Sequence, residues 1–312
     1  MDSSGIDSAK KPDIWRSCAL EVAERILGVL DRQTQSATHG CFDRMFWKYF
    51  LTDFPSAWCQ VGVEYLMWLY LIPGSRFYQN EKIRKWSEAG GQFICKWLNA
   101  DGSVMEAYPF ERSFCATSFL AGHYAKTAAV FGLKKECLWE MATFLRGNLG
   151  GKVANQIAAA AMAQIRIGKI FDDAEITRDG TSKLEALYDM QDGEGFFPEY
   201  GGLDIGYNSI TISLMARIEQ EFPGCIDLVR IGRALGVFER LLDEHGSYSY
   251  AATTRKTQFI YPFGLAFFKP SLLRQLQKGL EDNLVIRPSW LDDRYVSELA
   301  IDYCYTSNLL VD

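Results

Sequence analysis

The feature that most constrains this chain is an alternation of two kinds of helical segment. Apolar residues recur at helical spacing over 14–31, 55–72, 80–98, 112–131, 134–148, 152–170, 180–192, 205–222, 226–243, 256–278 and 293–310. One kind is charged and amphipathic, as in 81–98 and 226–244. The other is apolar nearly all round, as in 153–167, which contains Ala158 to Ala161, and 209–218. A helix that is hydrophobic on every side must be buried on every side. Turn signals at His39-Gly40, Asp101-Gly102-Ser103, Gly150-Gly151, 192–195 and 245–247 repeat at about 50 residues. Four of the five are followed by a short aromatic or proline-bearing stretch and then a helix rich in small residues. Concentric layers of outer and inner helices fit this order. The expected fold is therefore all-α: an (α/α)6 toroid, incomplete or closed, of about six helical hairpins. An open solenoid is the competing arrangement, but its exposed layers would not leave one set of helices so apolar. The chain reads as a flexible N-terminus over 1–12 followed by a single domain over 13–312.

Composition narrows the function. The formal net charge is -6, and no basic run interleaved with aromatics appears, which argues against nucleic acid as a partner. No uncharged apolar run reaches the ~18 residues of a membrane span, and residues 1–12 lack the apolar stretch of a signal peptide. A cytoplasmic protein without membrane insertion is expected. The eight cysteines (18, 41, 59, 95, 115, 137, 225 and 304) are scattered without a C-x-x-C pair. They read as small buried hydrophobes in a reducing compartment rather than as disulfides or zinc ligands. Three widely spaced histidines give no metal motif, and neither metal nor cofactor is expected. Aromatic residues make up 14%; they fill broad cores, and Tyr and Trp also line sugar pockets.

In a toroid the inner helices bring their first turns to one mouth, where free backbone N–H groups and helix dipoles favour acidic groups. The sequence is polar at each of these starts. The first carries Asp53 before Pro55, and the second Glu111 and Arg112. The third has Asn155 and Gln156, and the fourth Glu199, Tyr200, Asp204 and Tyr207. The fifth has Arg255 and extends to Tyr261, and the last has Asp292 and Arg294. Taken singly, Asp53, Asp204 and Asp292 are ordinary N-caps. Taken together, the six starts furnish a candidate site, with Asp53, Arg112, Asn155, Asp204 and Tyr207 as catalytic groups and the remainder as substrate contacts.

The strings FDRMFWKYFLTDFPSAWCQ (42–60), YPFERSFCATSF (108–119), VANQIAAAA (153–161), FFPEYGGLDIGYNSITISL (196–214), TRKTQFIYPFGL (254–265) and DDRYVSELA (292–300) resemble uncharacterised bacterial proteins encoded among genes for surface-polysaccharide biosynthesis. That group is in turn similar to the α/α-toroid domain of heparinase- and alginate-lyase-like enzymes. The resemblance implies a carbohydrate-active enzyme that cleaves a glycosidic bond in a surface or acidic polysaccharide, with an oligosaccharide or polysaccharide as its partner. The chain departs from the lyases' Asn-His pairing, because Gln156 follows Asn155. A lyase would neutralise a uronate with Asn155, Arg112 or Arg255 and use Tyr207 or Tyr261, its pKa depressed by Arg, as base and acid. A hydrolase would need two carboxyls, with Asp53, Glu111, Glu199 and Asp204 available. Two further classes compete. A terpenoid cyclase-like enzyme would use Asp172-Asp173 or Asp292-Asp293 to hold Mg²⁺ on a diphosphate. A non-catalytic glycan-binding or assembly protein would use the same cavity without turnover.

Overall fold

The computed structural model describes residues 13–133, 136–151, 153–249 and 253–311. The expected tail over 1–12 and Lys152 lie outside them. The described residues are all-helical and contain no strand; two isolated bridges join Val104 to Ser113 and Glu199 to Gly202. Fifteen α-helices occur among them. They are α1 (Ile14–Glu21), α2 (Ala23–Val29), α3 (Arg44–Trp47), α4 (Ala57–Gln60), α5 (Gly62–Leu71), α6 (Glu81–Lys96), α7 (Phe114–Phe131), α8 (Glu136–Leu145), α9 (Ala154–Phe171), α10 (Ala174–Asp189), α11 (Ile205–Glu221), α12 (Leu228–Leu241), α13 (Phe263–Phe268), α14 (Pro270–Glu281) and α15 (Val296–Val311).

Local chemistry sets the boundaries. Side-chain caps begin α1 (Asp13), α6 (Asn80), α7 (Ser113), α10 (Asp173), α11 (Asp204) and α12 (Asp227), each accepting from a first-turn N–H. Left-handed residues stop α7 at Gly132 and α9 at Asp172. Four expected helices differ, and those placed at 14–31 and 55–72 are each divided, at Val22 and Val61. The helix placed at 180–192 begins at 174, because Asp173 is its cap. The helix placed at 256–278 does not start until Phe263 and is broken in two. Tyr261 and Lys269 each precede a proline, which drives both away from helical backbone, and Pro262 and Pro270 then open α13 and α14.

Two classes of helix are present. In α6, α10, α12 and α14 one stripe is buried and the rest faces solvent. In α5, α7, α9 and α11 nearly every residue is buried. The buried helices contact one another in chain order: α5 with α7, α7 with α9, α9 with α11, α11 with α13 and α13 with α15; α15 then contacts α5. Outside them, α1 lies on α15, α6 on α5, α8 on α7 and α9, α10 on α9, α12 on α11 and α14 on α13. Neighbours on both flanks and behind are what an all-round apolar helix requires.

The tightest of these contacts is between α9 and α10. A Cβ on Gly180 would stand 2.7 Å from Ile165 Cγ1 and 2.9 Å from the Ile165 nitrogen. Gly180→Val is expected to cost about 1–3 kcal/mol by overpacking. A thermal melt checks this, and an unchanged midpoint would show that the two helices separate freely.

The cysteine expectation needs correction. Cys95 on α6 and Cys137 on α8 form a disulfide across 42 residues, with Cα atoms 5.2 Å apart. Pairing at that separation leaves no local sequence signature. The pair removes the cysteine-based ground for a reducing compartment. Cys18, Cys41, Cys59 and Cys304 are buried free thiols, as expected. No helix among the described residues is long and apolar enough to cross a membrane.

Candidate functional site

The starts of the buried helices meet at one end of the molecule, and side-chain contacts join them. Glu199, in the loop before α11, caps α9, whose own N-cap Val153 has no capping side chain. Its Oε1 accepts from the Asn155 backbone at 2.9 Å and from Thr211 Oγ1 at 3.3 Å, and its Oε2 accepts from Asn155 Nδ2 at 2.7 Å. Asp204 caps α11 through the Tyr207 N–H at 3.1 Å. It also latches the 253–257 segment, accepting from Thr257 Oγ1 at 2.7 Å and from the Arg255 N–H at 2.8 Å. Both carboxyls are fully buried. Burial pushes Glu199 up to about 8, against the pull of the Asn155 and Thr211 donors.

Tyr200 and Gly201 form a two-residue turn between Glu199 and Gly202, both with positive φ (52° and 88°). A left-handed tyrosine is rare, and such strain persists where the surroundings hold it. Here the holding groups are Arg255, whose guanidinium lies 4.3 Å from the Tyr200 ring centroid, and Tyr207, ring to ring at 5.9 Å. Gln156 hydrogen-bonds the Tyr200 hydroxyl. Further rings continue from Tyr207 through Phe259 to Tyr261, at 6.0 and 5.8 Å.

Glu106 organises the other side. Its Oε1 accepts from Trp58 Nε1 at 2.9 Å and its Oε2 from Ser113 Oγ at 2.6 Å, with Arg294 Nη2 3.8 Å away. Trp58 packs on Phe119 and Tyr295 at 4.9 and 5.4 Å. Cys115 lies between the two sides: burial, Glu106 and Glu199 all raise its thiol.

The expected site is thus brought together in part. Asn155, Gln156, Glu199, Tyr200, Asp204, Tyr207, Arg255 and Tyr261 form one side of the mouth, and Arg294 stands on the other. Asp292 is an exposed cap for the Arg294 and Tyr295 N–H groups. Three expected residues stand outside these contacts. Asp53 is exposed; the buried Asp43 takes the structural role instead, accepting from Met45, Phe46 and Ser56 N–H groups. Arg112 is 72% exposed and faces Asp101 at 3.3 Å, away from the mouth. Glu111 folds back on its own loop, its Oε2 collecting the N–H groups of Glu106, Ala107 and Tyr108. Neither expected tyrosine has a pKa depressed by Arg. Burial and the Tyr200 hydroxyl push Tyr207 up to about 12 despite Arg255, and burial holds Tyr261 well above the ordinary range. The paired aspartates are also committed. Asp172 ends α9 and Asp173 caps α10, at the far end of α9 from the mouth, and Asp293 pairs with Arg25 at 2.7 Å.

Deeper among the buried helices lies an ionic network that the periodicity hides. His123, nine residues into α7 and so ~14 Å from its start, sits between Glu64 of α5 (Nδ1 to Oε2, 2.6 Å) and Glu298 of α15, which its Nε2 contacts. Arg217 of α11 donates to Asp302 at 2.8 Å, and Asp302 also accepts from the Phe263 N–H at 2.8 Å and from Ser213. Arg166 of α9 grips Glu221 with two bonds of 2.9 and 2.7 Å, and Lys126 reaches the same carboxylate at 2.9 Å. Four acidic side chains (64, 221, 298 and 302) face four basic ones (123, 126, 166 and 217), so a protonated His123 balances the network when all four acids are ionised. The signal in the sequence is a charged residue within each apolar helix, such as Glu64 in GVEYLMWLYL.

The titration of these groups sets the pH range of stability. Burial works against the His123 charge, but Glu298 and Glu64 prevail and raise its pKa. Its contribution is complete below the ordinary 6.5 and is lost as pH rises through the raised folded value. Burial opposes the Glu64 charge too, yet His123 and the arginines lower it to about 2. Its contribution is present above 4.5 and is lost as pH falls toward 2. Glu199 adds a penalty that grows between 4.5 and about 8, since its folded pKa lies above the unfolded one. Denaturant unfolding across pH should therefore give greatest stability between about 4.5 and 6.5. Glu199→Gln should remove the part of the fall up to about pH 8, and His123→Gln should reduce the rest. An alkaline limb untouched by both substitutions would refute this origin.

Comparison with protein-family models returned no match, and comparison with curated proteins returned none either.

Proposed function

We propose that the chain is an (α/α)6 toroid and a carbohydrate-active enzyme that hydrolyses a glycosidic bond of an oligosaccharide or polysaccharide held in its mouth. The toroid reading is supported by the succession of buried-helix contacts that leaves α5 and returns to it through α15, each member backed by an outer helix. The observation that carries the enzymatic reading is a pair of carboxyls in unlike surroundings. Glu199 is held neutral to about pH 8 by burial, whereas Glu106 meets only donors and is partly open to solvent. Opposed environments of this kind are how two carboxyls divide acid and base roles. Glu199 is the acid that protonates the leaving oxygen, and Glu106 is the carboxylate on the opposing side. Glu199 is fully buried, and it must be uncovered for a sugar oxygen to reach that carboxyl.

A lyase reading loses support because Tyr207 is pushed up to about 12, away from the phenolate a base requires. The cyclase-like reading loses support because its paired aspartates cap helices or pair with Arg25. A second reading, glycan binding without turnover, is favoured by one observation: Glu199 and Asp204 are fully covered and saturated with donors.

The test is incubation with a panel of bacterial surface glycans, followed by mass and ultraviolet absorbance. Products heavier by water without new absorbance are the expected result. Absorbance from an unsaturated sugar would mean a lyase and would overturn the Glu106 and Glu199 roles. Binding with no turnover would favour the second reading.

A further inference from the structure

Next to the mouth, and sharing Glu106 with it, is a cleft of about 470 Å³ between the 42–56 segment, Glu106-Ala107 and 292–294. That volume lies within the ~300–1,000 Å³ of small-molecule sites. Its charged walls are occupied. Asp43 accepts three backbone N–H groups, Arg25 pairs with Asp293, Arg44 donates to the Gly28 carbonyl, and Asp292 caps the chain entering α15. The polar groups left over are of another kind. Thr52 Oγ1, Ser56 Oγ and Arg294 Nε are buried without a hydrogen-bond partner. Such atoms cost stability while unpaired, and Thr52, Ser56 and Arg294 all line the cleft.

Two loops flanking the cleft present aromatic rings outward from strained backbone. Phe50 (φ 54°) is 82% exposed and Phe110 (φ 61°) is 90% exposed. Left-handed phenylalanine is a genuine outlier, and such outliers cluster at ligand clamps. Met45 of the cleft wall is exposed as well.

We propose that this cleft binds one uncharged, hydroxyl-rich sugar ring, adjacent to the unit in the mouth, so that the bond between the two units lies over Glu106. The inference rests on the glycan reading of the mouth. An uncharged ring is specified because the lining sets four carboxylates (43, 106, 292 and 293) against three arginines (25, 44 and 294), so a carboxylate on the ring would meet no net positive charge. The apolar face of the ring lies against Met45 and Phe54 of the cleft wall.

The experiment is ligand-observed saturation-transfer NMR with methyl β-D-glucopyranoside and, separately, methyl β-D-glucuronide. Transfer to the ring protons of the neutral glucoside is expected, with weaker transfer to the charged glucuronide. Thr52→Val and Ser56→Ala should each weaken glucoside binding on the order of fivefold. Met45→Trp, which fills the cleft from an exposed position, should abolish it. Circular dichroism confirms folding, and Met45→Trp remains informative if a hydroxyl variant is unstable. No transfer to the glucoside, or transfer unchanged by Met45→Trp, would overturn the proposal. Binding here is read without turnover, so its failure leaves the hydrolase reading standing, and inactivity on the glycan panel leaves this result standing.

Discussion

Replacing Arg217 with methionine is expected to lower the unfolding free energy by about 3–5 kcal/mol, because the substitution leaves buried carboxylates without their counter-charge. Arg217 is fully buried, as are Asp302, which it bonds at 2.8 Å, and Glu298, whose Oε1 lies 3.7 Å from Nη1. The guanidinium also stacks 4.7 Å from the Tyr305 ring centroid. Methionine keeps the length and the contact with Tyr305 but none of the charge. The network then sets four acidic side chains against three basic ones. At roughly 2–4 °C per kcal/mol for a chain of this size, the midpoint should fall by roughly 10 °C. Asp302→Asn in the same protein should restore part of the loss, since the amide oxygen still accepts the Phe263 N–H while the orphaned charge disappears. Equilibrium urea unfolding of the two single variants and the double variant measures the coupling directly. A loss below about 1 kcal/mol for Arg217→Met would mean that the cluster is solvated and contributes little.

The same residues mark where the sequence was legible and where it was not. Helix class and order followed from periodicity, because burial on one stripe or on all sides is written into the spacing of apolar residues, as in α6 and α9. The helix starts at Asn155, Glu199 and Asp204 were legible because polar residues that open an apolar helix need partners at its end. The partners themselves were not legible. Glu199 bonds Asn155 across 44 positions and Asp204 bonds Thr257 across 53, and no local rule encodes such distances. Asp53 looked like the cap of its helix because it precedes Pro55, yet the N-cap of α4 is Ser56, without a side-chain cap bond, and Ser56 is tied by its N–H to Asp43, the cap of α3. Glu106 escaped notice because it lies in a loop whose pattern carries no cap or motif; only the fold brings Trp58 and Ser113 to its two oxygens. Arg112 sits beside Ser113, the cap of α7, but its long side chain points to Asp101 outside. Position near a helix start thus located the mouth, whereas side-chain direction decided membership.

Among the mouth groups, Glu106→Gln and Glu199→Gln should have the largest effect on turnover, and they should act differently. Glutamine in place of Glu106 keeps one acceptor oxygen, for Trp58 or Ser113, but cannot act as base or nucleophile, so the rate should fall by roughly 10²–10⁴ at every pH. Glutamine in place of Glu199 resembles the neutral acid in shape and charge and still offers one oxygen to the Asn155 donors. It has no acidic proton to give, so a fall of similar size is expected, but with a changed pH profile. In the native protein activity should decline above about pH 8 as Glu199 ionises. In Glu199→Gln that decline should vanish from the residual rate. A purely structural Glu199, acting only as the cap of α9, would give the opposite pattern: near-normal turnover with an unaltered alkaline limb, and a stability loss in Glu199→Ala, which strips the Asn155 N–H and amide of their acceptor. Native and variant pH–rate profiles on whichever glycan the native enzyme cleaves separate the two. Loss of the limb assigns the proton to Glu199, and its persistence assigns it to another group of the mouth.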